Sequence, residues 1–408
     1  MNAVGLIVEY NPFHNGHLHH LNQAKETANA DVVAAVMSGS FLQRGEPAII
    51  DKFHRAKAAL AGGIDIILEL PYAYAVQSSR LFAKGSVLSL YELGVESICF
   101  GSESGKIDDF LQGYYFLKEN EETYTSTLKS SLKQGVSYPA ASKIAYDKIG
   151  LANNNFDLTQ PNNVLGMSYV NEVLGRNLPI KPMTIPRIKS QHHDMKITGN
   201  IASATSIRKE LLHNINKTKI RDTIPDGTME QLVEYRRRTG LWHDWEQYFL
   251  LLNYRVQTMS HEELALIAGV DEGLEFRIKE TASTVSSFHE WVQAVKSKRY
   301  TWTRLQRMFT HILTNTTKKE LELATASENV PYIRLLGFSR QGQAYLNQFK
   351  KNLGIPLITS LSRNMDQMLH MEERAANAYY SIIAPAARKK LTRQELQGPL
   401  QIQPERSL

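Results

Sequence analysis

Two histidines three residues apart, His14 and His17, stand in the run Asn11-Pro12-Phe13-His14-Asn15-Gly16-His17. Such a pair can aim two imidazoles at one phosphate group, where donating or protonated rings stabilise charge that develops on a phosphoryl oxygen. Gly16 lets the backbone approach that phosphate because it carries no side chain. A zinc pair would need further ligands; no cysteine cluster or HExxH accompanies these residues, so no protein-held metal is expected. A second polar run, Ser203-Ala204-Thr205-Ser206-Ile207-Arg208, places hydroxyls and amides at a helix start ahead of an arginine. That is a sensible second phosphate clamp, although alone it reads equally as an ordinary capped helix.

The elements around the histidines place them at a ligand-binding edge. Val4–Val8 is a continuous apolar run of the kind buried on both faces of a parallel sheet. Further runs at Val32–Met37, Ile64–Leu70 and Val95–Phe100 alternate with helical patterns at His17–Ala28, Phe53–Ala61 and Leu81–Leu93. Strands and helices in this alternation predict βαβ units and a doubly wound α/β domain. In such sheets ligands sit beyond the carboxyl ends of the strands, where helix N-termini favour anions. Residues 108–150 read as helical, 151–165 as an Asn-rich loop, Met167–Leu174 as a helix and Ile180–Ile188 as an extended segment interrupted by two prolines. A further helix opens at Ser206–Leu212, with Ser203 or Thr205 as its N-cap.

From about residue 220 the texture turns amphipathic and helical, through Met229–Arg238, Trp245–Val256, Glu262–Ile267, Leu274–Val295 and Thr303–Thr314. One short apolar segment lies near Pro331–Phe338, Pro225-Asp226-Gly227 reads as a linker turn, and the tail after Leu391 reads as poorly ordered. The chain thus divides into residues 1–219 and a mostly helical 220–408. Its 408 residues carry 47 Lys+Arg against 41 Asp+Glu, a net charge of +6, of which +2 falls on the first part and +4 on the second. That permits an RNA partner without establishing one. The single cysteine, Cys99, excludes a disulfide framework, and no apolar run approaches the roughly 18–20 residues of a membrane span, so a cytoplasmic location is expected.

His14-Asn15-Gly16-His17 resembles the HxGH signature of the nucleotidyltransferase superfamily, and Ser203–Arg208 resembles its later Ser/Thr-x-Ile-Arg motif. The wide spacing between them implies a large insertion, assigned to the helical stretch at 108–175. At closer range, Gly5–His17, Met37–Ala48, Gln160-Pro161-Asn162-Asn163 and Ile185-Pro186-Arg187 resemble the bacterial tRNA(Met) cytidine acetate ligase family. This resemblance implies a Rossmann-like nucleotidyltransferase domain with a helical insertion, followed by a mostly α-helical part that binds tRNA. It also implies an activity: acetate and ATP form acetyladenylate, and the acetyl group passes to the exocyclic amine of the wobble cytidine of elongator tRNA(Met). The family's ATP-binding stretch corresponds to Ile7-Val8-Glu9-Tyr10-Asn11-Pro12-Phe13-His14-Asn15-Gly16-His17-Leu18-His19-His20, with further contacts at Gly101, Asn162, Arg187 and Ser206. His14, His17 and Arg208 would carry catalysis, with Mg²⁺ held mainly through the phosphates.

For RNA, the basic runs containing Arg236 and Arg237, and Lys298 and Arg299 with Tyr300 and Trp302 nearby, are the candidate surfaces, although each alone reads more often as a solvated helical face. Ser38, Gln43 and Arg44 are expected either at the crevice or in an ordinary connecting loop; Lys52, His54, Arg55 and Lys57 are expected to face tRNA phosphates or water. His192-His193-Asp194 reads as a polar loop, Trp242–Trp245 as core and capping, and Cys99 as inert. Two other readings fit HxGH alone: an adenylyltransferase acting on a small phosphate-bearing metabolite, and a non-catalytic RNA-binding protein on the same fold.

Overall fold

The computed structural model describes residues 1–151, 156–187, 202–213, 220–351, 353–362 and 366–402. Five parallel strands, β1 (Ala3–Val8), β2 (Val32–Ser38), β3 (Ile66–Leu70), β4 (Ser97–Ser102) and β5 (Lys181–Pro186), lie in the order β5-β4-β1-β2-β3. Chain direction across the sheet reverses between β1 and β4, so the switch point opens where the histidine-bearing loop leaves β1. The central strands are buried along almost their whole length, which explains their unbroken apolar sequence. β5 carries Pro182 and Pro186 and is only partly buried; as an edge strand it tolerates residues that cannot donate to the ladder.

Helices α1 (Asn15–Thr27), α2 (Lys52–Ala61), α3 (Tyr72–Ala75) and α4 (Ser79–Glu92) follow the first strands. The insertion supplies α5 (Ile107–Glu119), α6 (Glu121–Lys133), α7 (Tyr138–Ile149) and α8 (Pro161–Gly175), and α9 spans Ala204–His213. The Asn-rich stretch expected as loop to residue 165 therefore turns helical at Pro161, because proline suits the first turn where its missing N–H is not needed. Pro225-Asp226-Gly227 is likewise not a linker turn: Pro225 caps the helix Asp226–Thr239. The single segment expected over Leu274–Val295 is two helices, Leu274–Ala282 and Phe288–Val295, the second capped by Ser287.

The helical second half is not confined to its own layer. β6 (Ile333–Phe338) pairs antiparallel with β3, and β7 (Leu357–Ile358) and β8 (Leu400–Gln401) pair with β6, completing eight strands among the described residues. Within the tail after Leu391, expected to be poorly ordered, the described residues form the 3₁₀ turn Arg393–Leu396 and β8. What holds it is a buried ionic knot. Lys52 meets Glu69 at 2.7 Å and Glu395 at 3.0 Å, and Arg334 meets Glu69 at 2.7 Å and Glu395 at 2.5 Å. Burial works against the Glu69 charge, but Lys52 and Arg334 outweigh it and hold the carboxyl below its ordinary value. Neighbouring Glu372 is pushed well above the usual range by burial and then by Glu69, and it accepts from the Tyr72 amide. Lys52, His54 and Arg55 are therefore interior residues, at most 1% exposed, not a surface for tRNA or water.

Candidate functional site

α1 begins at the end of β1 with a reciprocal cap built from the two histidines. His14 is the N-cap, its Nδ1 accepting from the Gly16 amide at 3.0 Å, while His17 Nδ1 accepts from the His14 amide at 3.3 Å. The rings stack with centroids 3.7 Å apart. Because Nδ1 of each ring accepts a proton-bearing amide, the ring proton of the neutral form resides on Nε2. Neither Nε2 has a hydrogen-bond partner among the described residues. Burial, then Arg187 and Arg208, push His14 down to about 3; burial, His14 and Arg187 likewise hold His17 well below its ordinary value. At neutral pH the site presents two neutral N–H donors side by side, rather than an imidazolium.

The flanking residues hold this arrangement rigid. Tyr10 packs edge-on against Phe13 at 4.8 Å and against His17 at 5.0 Å, and Val8, Tyr10 and Phe13 belong to the core, with Leu18 packed on it. Tyr10 adopts a positive φ of 46°, a left-handed conformation that is costly for a bulky residue and concentrates at functional loops. Pro12 is buried with them and Ile7 is partly buried. Asn11 Oδ1 accepts from the Ile49 amide at 2.7 Å, and the Asn15 side chain donates to Asp222 O at 2.9 Å. His19 and His20 follow on α1; half-buried His20 is lowered to about 4, first by desolvation and then by Arg187.

On the β4–β5 side, Gly101, Asn162 and Arg187 come together although they are far apart in the chain. β5 runs beside β4, with Gly101 opposite Ile185, and delivers Arg187, whose amide donates to Ser102 O at 3.0 Å. The Arg187 stem lies over Gly101, where a Cβ would stand 3.2 Å from its Cγ. Asn162 accepts from Arg187 at 2.8 Å and donates to Glu103 at 2.5 Å. Glu103 and the buried Asn163 were not candidates from sequence: Glu103 accepts from the Asn163 amide at 2.8 Å, and Asn163 Oδ1 accepts from the Glu103 and Ser104 amides. No local signal could have found this, because it joins the end of a strand to a helix start some sixty residues on.

The opposite wall is Arg208 on α9, reaching Asn11 O at 3.0 Å and Glu46 at 3.4 Å. Ser203 caps this helix for the Ser206 amide, and the buried Ser206 hydroxyl returns to Ser203 O at 2.8 Å. Glu9 lies beneath: burial raises its carboxyl against the pull of the Gln43 amide and Arg44. Gln43 also donates to Gln77 O at 2.7 Å, Arg44 is exposed, and Ser38 is buried at the end of β2. Arg55, from α2, donates to Glu9 O at 2.6 Å and Ser38 O at 3.0 Å, bolting the ends of β1 and β2 together. Gly45, at φ 76°, lies where a Cβ would collide with the Arg307 backbone, and its carbonyl accepts from Trp245 and Thr310 at 2.9 Å each. The helical half thereby grips the loop that lines the crevice.

The basic runs behave differently. Arg237 and Arg238 pair with Glu234 at 2.7 and 2.5 Å, Arg236 lies over the Trp242 ring, and Arg299 pairs with Glu272, leaving Lys298 exposed. His243 is buried against Tyr235 and Tyr248 and stacks on Tyr379, and Asp244 caps the next helix. Cys99 is buried, with its thiol pushed up to about 12 by desolvation. His192-His193-Asp194 lies outside the described residues. Among the described residues no group of three or more His, Cys, Asp or Glu converges as a metal cage, and no helix is long and apolar enough to cross a membrane.

The family model for HIGH nucleotidyl transferase matches residues 1–395. A tRNA(Met) cytidine acetate ligase from Oceanobacillus iheyensis is 53% identical over 401 residues, covering 98% of this chain and 100% of the relative. One of that name from Bacillus subtilis is 45% identical over 398 residues, covering 97% and 96%. The apo crystal structure of Thermotoga maritima TmcAL superposes with a TM-score of 0.90 at 30% identity, covering 98% of this chain and 100% of that one; the form bound with alpha-thio ATP gives 0.89. With its HxGH loop at the switch point and its likeness to these proteins running nearly end to end, the chain belongs to the tRNA(Met) cytidine acetate ligase family of HIGH nucleotidyltransferases.

Proposed function

We propose that the chain is an ATP-dependent ligase that activates acetate as acetyladenylate and acetylates the wobble cytidine amine of elongator tRNA(Met) in the cytoplasm. The observation that carries the reading is the stacked pair of neutral histidines, each with Nδ1 fastened to backbone and Nε2–H left to donate. Residues 1–219 hold ATP. Residues 220–408 present the RNA surface, to which Arg236, Arg237, Lys298 and Arg299 contribute.

In the first step an acetate oxygen attacks the α-phosphorus, the bond to the bridging oxygen breaks and pyrophosphate leaves. His14 and His17 donate to the phosphoryl oxygens, and Arg208 adds a positive charge on the facing wall, so that negative charge developing on the phosphoryl and leaving oxygens is met without solvent reorganisation. Asn162 and Arg187, beside Gly101, seat the nucleoside end, and the start of α9 around Ser206 closes the phosphate side. Mg²⁺ entering on the triphosphate would neutralise phosphate charge there and needs no cage of protein ligands. In the second step the cytidine amine attacks the acetyl carbonyl, AMP departs and the amine loses a proton. A wobble base lies in a single-stranded loop and reaches such a crevice without opening a duplex.

The test is incubation of the purified chain with ATP, Mg²⁺ and labelled acetate, with and without tRNA(Met). Label in acetylcytidine that depends on both ATP and tRNA(Met) is the expected result. A folded protein that leaves tRNA unlabelled overturns the reading, and label entering a small phosphate-bearing metabolite instead would favour the plain adenylyltransferase.

A further inference from the structure

A third basic region lies in the last described segment of the chain, on either side of Leu391. Arg388, Lys389, Lys390 and Arg393 fall within six residues, on the helix Pro385–Thr392 and the 3₁₀ turn that follows it. Arg388, Lys389 and Arg393 line one cavity of about 490 Å³, together with the polar side chains of Asn377 and Thr392. Pro385 and Leu396 give it an apolar wall, and Leu396 is 64% exposed.

Three features separate this cavity from the basic runs already described. Lys389 and Arg393 are exposed, and neither they nor Lys390 form an ion pair among the described residues. Arg237, Arg238 and Arg299, by contrast, each hold an internal carboxylate that an RNA phosphate would have to displace. The only carboxylate in the basic segment, Glu395, is buried and spent on Lys52 and Arg334. Finally, the segment that carries the cavity is anchored: Arg388, in the wall, donates to Ser381 O at 3.2 Å, and Gln394, next to Arg393 in the chain, donates to Asp51 at 3.2 Å. Asp51 caps α2, the helix whose Arg55 holds the backbone of Glu9 and Ser38 at the nucleotide crevice. The cavity is therefore rigidly tied to the carboxyl edge of the sheet on which the chemistry occurs.

We propose that this cavity is a seat for the tRNA sugar–phosphate backbone, with Lys389, Arg393 and the free face of Arg388 taking phosphate oxygens and the Pro385–Leu396 wall taking a ribose. Its polyanionic occupant follows from uncompensated cations around a concave site, and its identity as tRNA rests on the function proposed above. Phosphate contacts of this kind position an RNA without reading its sequence.

The decisive experiment compares the full-length chain with Lys389→Ala/Arg393→Ala in two assays. One is tRNA(Met) retention as KCl is varied from about 50 to 300 mM; the other is acetate-dependent ATP–pyrophosphate exchange without tRNA. Losing two phosphate contacts should flatten the slope of log affinity against log salt by about 1.4–1.8 and weaken binding roughly tenfold or more. Exchange should stay within about twofold, since neither residue touches the crevice. Arg237→Ala/Arg238→Ala should flatten the slope less. Unchanged slope and affinity in a variant with normal exchange would overturn the proposal, and if the alanine variant loses exchange as well, Lys389→Gln/Arg393→Gln decides by the same slope. A wild-type chain that exchanges pyrophosphate but retains no tRNA at any salt would remove the parent reading, and this seat with it.

Discussion

The nucleotide crevice and the ionic knot lie along the same edge of one sheet and are made from similar residues, yet they do opposite things with them. In the knot every charge is answered: Lys52 and Arg334 each contact both Glu69 and Glu395, and Glu372 stays neutral beside them. In the crevice the two histidines are fastened on one side only. His14 and His17 spend Nδ1 on backbone and keep Nε2, and Asn162 links Arg187 to Glu103 at the mouth. Saturated charge makes architecture, whereas half-used polarity makes a site. Residue type does not distinguish the two; the number of partners does.

Breaking the knot should produce the largest effect on stability. Glu69→Ala leaves Lys52 and Arg334 short of a buried partner, and removal of one member of a buried pair costs about 3–5 kcal/mol; urea denaturation should show that loss, while turnover per folded molecule stays near wild type. The crevice should behave conversely. His14→Asn keeps a capping side chain but loses the Nε2 donor, so acetate-dependent ATP turnover should fall about 10²–10³-fold, roughly 2.7–4 kcal/mol, with the unfolding midpoint little changed. If Glu69→Ala destroyed turnover in fully folded protein, or His14→Asn mainly unfolded the chain, the division between the regions would fail.

Smaller effects sharpen the same contrast. Asn162→Ala should raise the KM for ATP about tenfold or more, the worth of a hydrogen bond linked to a charged group, with kcat changed less. pH supplies a test that spans both halves of the chain. His14, His243 and His311 are held at about 3 and His20 at about 4, in each case first by burial. Their folded values lie below the ordinary one, so the unfolded chain binds protons more readily, and stability is full above about pH 6.5 and falls as pH drops toward the folded values. Acidification from pH 6.5 to 5.5 should cost about 1 kcal/mol for each such histidine, read as a fall in Tm; His243→Gln should make that fall shallower. A Tm that does not change over this range would mean the rings are not held neutral.

Much of the crevice was legible because its chemistry is local. An apolar strand, a polar turn with two histidines and a helix are consecutive in the chain, and Ser203–Arg208 is a self-contained capped helix start. What could not be read depends on distant partners. Lys52, His54 and Arg55 look like a basic helix face until Glu395, Asp51 and the carbonyls of Glu9 and Ser38 arrive around them. Pro161-Asn162-Asn163 has the composition of a loop, and it becomes a helix start because Pro161 opens α8 while Glu103, just past β4, accepts the amides of Asn162 and Asn163. Pro331–Phe338 was recognisable as apolar, but nothing within it announces an antiparallel partner more than 260 residues earlier in the chain.

That late closure matters at the ribosome. β3 emerges early, and its open edge waits for β6; the charges of Lys52 and Glu69 wait for Arg334 and then for Glu395. At roughly 5–20 residues per second, the interval between synthesis of Glu69 and Glu395 is on the order of 16–65 seconds. During that time an amino-terminal half that could already bury its central strands carries an unpaired sheet edge and unmatched interior charge, the combination that invites association between nascent chains. Cells that make this protein are expected to rely on chaperone cover for the unfinished chain, and released chains truncated before and after the segment that carries Glu395 should differ sharply in protease resistance.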